Sequence, residues 1–368
     1  MPAEPNRSMG ISCGRVAHMH SGSRNVWTLT AEKTVRNFQQ SPHTIPLISP
    51  NGLERGHKEV SMLAKPSLSS YVGWKWRGLR SKMLPPLPLP DTLFAAIGCQ
   101  RSGTHLFREI VNSNPHVALL SEPFWPSPKP VQWGDYVRGL SASKFPPRLP
   151  LDALLLLDEY LTTVRQDVDI DFDWYGGRKP QLRTLGVNVK YNQLRSVTPL
   201  VHDLRAPPIL LEYFRSRKFR IVHIIRQNVV QAALSHMIAM QRDVWQNYDH
   251  TELSGRFHIP WETLRGYIEW SNTEREEFLR LADDLPLHTC SYEDLVDDLK
   301  RVNTAGEFPA DTMVLAPVAK FLGVPNEFRF ASSIRKVINR PYGEILENYD
   351  ELVSAIRDSP YAEFADTL

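Results

Sequence analysis

The stretch Leu93-Phe-Ala-Ala-Ile-Gly-Cys99, followed by Gln100-Arg-Ser-Gly-Thr-His105, decides the fold. A short continuous apolar run is the pattern of a strand buried on both faces. The segment after it is polar and contains a glycine, as a tight turn requires. Leu106, Phe107, Ile110 and Val111 then recur at helical spacing until Asn114-Pro115 ends the helix. Val117-Ala-Leu-Leu120 predicts a second strand, completing strand, turn, helix, strand: the opening unit of a parallel α/β sheet.

A turn leading from a strand into a helix N-terminus aims several backbone N–H groups at one point, and the helix dipole adds positive potential there. Gly103 lets the backbone approach a ligand, Ser102 and Thr104 add hydroxyls, and Arg101 adds a planar, permanently charged fork. The turn suits an anion. Gly98 and Gly103 have the spacing of the ATP-type loop G-x-x-x-x-G-K-[ST], but Thr104 stands where the lysine belongs and His105 where the metal-binding hydroxyl belongs. A nucleotide kinase would lack both groups. That alternative is therefore secondary, as is a non-catalytic nucleotide- or glycan-binding protein of the same fold.

The rhythm repeats further along. Leu185 to Tyr191, Phe219 to Ile225 and Leu287 to Ser291 predict strands. Val229 to Gln241, Trp261 to Ala282, Thr312 to Leu322 and Ile345 to Ile356 predict helices.

The segment Cys99 to Phe124, Arg-Ser-Gly-Thr-His followed by a helix, a strand and Glu122-Pro123, resembles the 5′-phosphosulfate loop of the sulfotransferases. It is similar to the carbohydrate-type and bacterial (Stf0-like and nodulation-type) branches, where Arg replaces the lysine of the cytosolic enzymes. Val222-His-Ile-Ile-Arg-Gln-Asn-Val-Val-Gln-Ala-Ala-Leu-Ser235 resembles the 3′-phosphate segment of the same family, with nine residues from Arg226 to Ser235. The resemblance spans 91–368 in patches. It implies an α/β fold of the P-loop NTPase-like type, three α/β/α layers around a central, mostly parallel sheet.

It also implies a co-substrate, PAPS (3′-phosphoadenosine 5′-phosphosulfate), released as PAP, and a hydroxylated acceptor. Arg101, Ser102, Gly103, Thr104 and His105 would hold the donor's 5′ side; Arg226 and Ser235 would hold its 3′-phosphate. Arg335 and Lys336 sit where the family has a basic closing loop. In-line sulfuryl transfer needs fixed positive groups and a base for the acceptor proton. Arg101 supplies charge. Glu122, beside the loop, is the expected base, with His105, His116, His223 and His236 as competitors. Lys190 shares a strand face with Asn188 and would reach the bridging oxygen, unless it lies on an edge strand and extends to water. No metal-ligand spacing is present, and no metal is expected.

Residues 1–90 hold ten of the 29 prolines, and twelve Lys/Arg against four acids; in a chain of net charge +2 the remainder is net −6. That asymmetry argues against a nucleic-acid partner, whose folded part should be the basic part. The segment is expected to be a loosely ordered extension, with the folded domain at 91–368. Within it, the basic, aromatic stretch 74–82 suits peripheral membrane contact or simple packing of its two tryptophans on the main domain. With no membrane-length apolar run, no secretory leader pattern and only three scattered cysteines, a cytoplasmic setting is expected. Aromatics between Phe124 and Tyr175 favour a carbohydrate or glycolipid acceptor, or equally are ordinary core residues.

Overall fold

The computed structural model describes residues 88–125, 132–134, 136, 153–170, 179, 181–197, 207–242, 255–330 and 340–368. Arg335 and Lys336, the stretch 74–82, and Trp174, Tyr175 and Trp245 lie outside the described residues.

The opening unit forms as its pattern predicts: β1 (Thr92–Gly98), α1 (Thr104–Ser113) and β2 (Val117–Leu120). After α2 (Ala153–Ile170) come β3 (Thr184–Lys190), α3 (Ile209–Ser216), β4 (Arg220–Ile225) and α4 (Val229–Arg242). Next follow α5 (Trp261–Leu281), β5 (Leu287–Ser291), α6 (Tyr292–Lys300) and α7 (Leu315–Leu322), then α8 (Tyr342–Ile345) and α9 (Tyr349–Arg357). The strand order is β2-β3-β1-β4-β5, and every described pairing is parallel. Parallel strands need crossover helices, so both faces are covered, and β1, at the centre, is apolar and buried after Thr92. Its alternate residues feed two different cores. Leu93, Ala95 and Ile97 face Tyr160, Tyr213 and Phe214 of α2 and α3. Phe94 and Ala96 face Phe107, Ile110 and Val111 of α1 and Val318 of α7. A third cluster joins α4, α5, α8 and α9.

Two expectations change. The helix foreseen over Ile345 to Ile356 is broken, because Leu346 is extended (φ −98°, ψ 132°) and forms a bridge with Phe257. Lys190 does not lie on an edge: β3 runs between β2 and β1, all seven of its residues are buried, and Lys190 is 3% exposed. The register is marked by one contact. Phe94 pairs with Gly186, and a Cβ on that glycine would lie 2.2 Å from the Phe94 ring. The same register sets Gly98 opposite Lys190. Among the described residues, no helix is long and apolar enough to cross a membrane.

Candidate active site

The turn after β1 is shaped by close packing. A Cβ on Gly98 would lie 2.4 Å from the Ile224 carbonyl oxygen and 2.6 Å from Ser102 Oγ. Gly103 has φ 90°, and a Cβ there would meet the Tyr292 ring at 2.3 Å. Between them Arg101 takes φ 66°, a left-handed conformation rare outside glycine. The Ser102 hydroxyl donates to the Cys99 carbonyl (2.9 Å), so it closes the turn upon itself. Gly103 is the N-cap of α1, no side chain caps it, and the first turn carries no acid. The helix N-terminus keeps the anion-attracting character foreseen for it.

Two groups of side chains meet around this turn. On the β4 side, Arg101 Nε donates to Ser235 Oγ on α4 at 3.0 Å. Arg226, at the end of β4, donates to Gln231 Oε1 (3.1 Å), and its guanidinium stands 4.9 Å from the Tyr292 ring centre. Burial, followed by the nearby charge of Arg226, lowers the Arg101 pKa. The structure thus brings together Arg101, Arg226 and Ser235, which the sequence had divided between the 5′ and 3′ ends of the ligand.

On the β3 side, Lys190 Nζ donates to Thr104 Oγ1 and stands 3.5 Å from Glu122 Oε1. Burial pushes the Lys190 pKa down, against the pull of Glu122. Glu122 itself has φ 40°; its Oε1 lies 3.1 Å from His105 Nε2 and its Oε2 accepts from Gln193 Nε2 at 3.2 Å. Burial alone would raise the Glu122 pKa, but Lys190 and the hydrogen bonds from His105 and Gln193 outweigh it and hold the carboxyl at about 2. Burial lowers the His105 pKa below 6.5, Glu122 opposes this, and Lys190 and Arg108 reinforce it.

The other histidines stand apart from this cluster. His116 Nδ1 pairs with the Gln181 carbonyl (3.0 Å). His223 lies in the core, 2.7 Å from the Tyr191 hydroxyl, with burial taking its pKa to about 4. His236 stacks on Tyr267 with centroids 4.2 Å apart. Among the described residues no group of His, Cys, Asp and Glu could hold a metal ion. Phe124, Trp133, Tyr136 and Tyr160 pack on one another in the core, whereas Trp125, three residues beyond Glu122, is 36% exposed.

Neither Gln193 nor Tyr292 was singled out from the sequence. Gln193 sits in a 3-10 turn just after β3, and no motif marks it. Tyr292 follows β5 directly, and its position at a strand's carboxyl end was the available signal.

No family model matches the chain. Nodulation protein H of Rhizobium meliloti (strain 1021), a sulfotransferase, is 22% identical over 284 residues, which cover 76% of this chain and 96% of that protein. The chain is similar to this sulfotransferase over about three quarters of its length. Among solved structures, the sulfotransferase domain of the Synechococcus PCC 7002 olefin synthase aligns at 16% identity over 77% of this chain and 96% of its own, with a TM-score of 0.32. Retinol dehydratase in complex with retinol and PAP aligns at 16% identity over 77% of this chain and 74% of its own, with a TM-score of 0.30. The site just described lies at the carboxyl edge of the sheet, around the turn after β1, where open α/β sheets bind ligands.

Proposed function

We propose that this protein moves the sulfuryl group of PAPS to a hydroxyl, with a carbohydrate or glycolipid as the acceptor class. One observation carries the reading: Arg101, Arg226 and Lys190 converge on an uncapped helix N-terminus, with a hydrogen-bonded carboxylate–imidazole pair beside them. Two guanidiniums and a buried ammonium around one turn favour a multiply charged anion, and nothing in the arrangement asks for a metal.

In this reading Arg226 and Ser235 hold the 3′-phosphate, while the turn's amides and Thr104 hold the 5′ side. Lys190 faces the oxygen that bridges sulfur and phosphorus. These fixed positive groups stabilise charge that develops during transfer, each worth about 2–4 kcal/mol in a dry site. The Glu122–His105 pair receives the acceptor's proton. Trp125, part-exposed and three residues beyond Glu122 in the sequence, supports a ring-bearing acceptor, since aromatic faces stack well on sugars. Arg335 and Lys336 are assigned to closure over the 3′-phosphate on sequence grounds alone, and a cytoplasmic setting likewise.

Calorimetry tests the donor assignment. PAP is expected to bind without magnesium, and Arg101→Ala to weaken it about tenfold or more, from about 1.5–3 kcal/mol for a hydrogen bond to a charged group. Magnesium-dependent ATP binding in place of PAP binding would overturn the reading in favour of a kinase.

A further inference from the structure

Glu122 and His105 approach from different elements, one just after β2 and the other in the first turn of α1, and meet at 3.1 Å. The carboxylate is surrounded: Oε1 faces both His105 Nε2 and Lys190 Nζ, and Oε2 takes Gln193 Nε2. Every one of these contacts stabilises the anion, and the carboxyl sits at about 2. A base that acidic holds poorly any proton it gains at neutral pH, whereas an effective base has a pKa near the working pH. The imidazole is in the opposite position. Burial lowers its pKa and so favours the neutral ring, and a ring that directs Nε2–H at the carboxylate carries its basic lone pair on Nδ1. The charged groups facing the ring are Glu122 beyond β2, Lys190 of β3 and Arg108 of its own helix.

We propose that His105 takes the proton from the acceptor hydroxyl and that Glu122 is its positioning residue, orienting the ring and stabilising the imidazolium that forms. The proposal rests on the sulfuryl-transfer reading. The acceptor's O–H bond breaks with its proton passing to the imidazole, the acceptor oxygen bonds to sulfur, and the bond from sulfur to the 5′-phosphate oxygen breaks, its electron pair leaving with PAP. The imidazolium then returns its proton to solvent.

Water serves as acceptor in the test, so the physiological alcohol need not be known. PAP release from PAPS is followed against pH in wild type, His105→Gln and Glu122→Gln, with PAP calorimetry on each. His105→Gln should lower turnover about 10²–10⁴-fold, a larger loss than any weakening of PAP binding read by calorimetry. Glu122→Gln should move the acid limb to lower pH, because the group that raises the imidazole's pKa is gone. The donor's phosphate also titrates near ~6, but equally in every variant, so the displacement between variants is the readout. Ring NMR titration gives a second measure, with the His105 pKa falling in Glu122→Gln. Wild-type turnover in His105→Gln, or an unmoved His105 pKa in Glu122→Gln, overturns the proposal. Failure of the wild type to bind PAP at all would instead sink the sulfuryl-transfer reading, and this proposal with it.

Discussion

Gly103 combines φ 90° with the Tyr292 ring against the place of a side chain. Gly103→Ala should cost about 1–3 kcal/mol from backbone strain alone, seen as a lower thermal midpoint, with PAP affinity reduced as the turn shifts. Glu122 gives a pH prediction at the same scale. Its folded pKa of about 2 lies below the ordinary 4.5, so the stability it contributes is full above 4.5 and is lost as pH falls towards 2. Glu122→Gln should flatten the fall in urea midpoint across that acid window. The Arg-Ser-Gly-Thr turn was legible residue by residue, because its glycines and hydroxyls have few other uses beside a buried strand. The link between Arg101 and Ser235 was not: 134 residues separate them, and only tertiary packing brings them to 3.0 Å.

Elements were easier to read than their ends. β5 formed over the residues expected, Leu287–Ser291, although Thr289 is its one β-branched residue and only Cys290 and Ser291 are buried. The helix starting near Thr312 instead begins at Leu315, because Asp298, fully buried on α6, accepts from the amides of Met313 (2.8 Å) and Val314 (2.8 Å) and holds the chain in a lead-in turn. No local pattern announces a cap supplied from another helix. Asp298→Ala should leave the buried Val314 amide unpaired at about 1–3 kcal/mol, and the part-buried Met313 amide at less, lowering the urea midpoint with the m-value unchanged.

At the scale of the whole chain, composition alone sets 1–90 apart from 91–368. Trypsin is expected to cut within that segment at its Lys/Arg, other than Lys65 before Pro66, and to leave a resistant product close to 91–368, which keeps its PAP affinity. A protected amino-terminal segment would show that the prolines there brace a folded part. The strand order was not legible, because apolar runs declare strands without naming their neighbours. The Phe94–Gly186 notch adds a consequence of its own. Lys190 faces Thr104 only while Gly98 stands opposite it, so a sheet that slipped by one residue could still be compact and yet present Val189 to the donor. The notch therefore acts as a proofreader of assembly. A bulky residue at position 186 should yield preparations in which soluble protein outnumbers donor-binding sites, a shortfall of competent molecules rather than a slower enzyme.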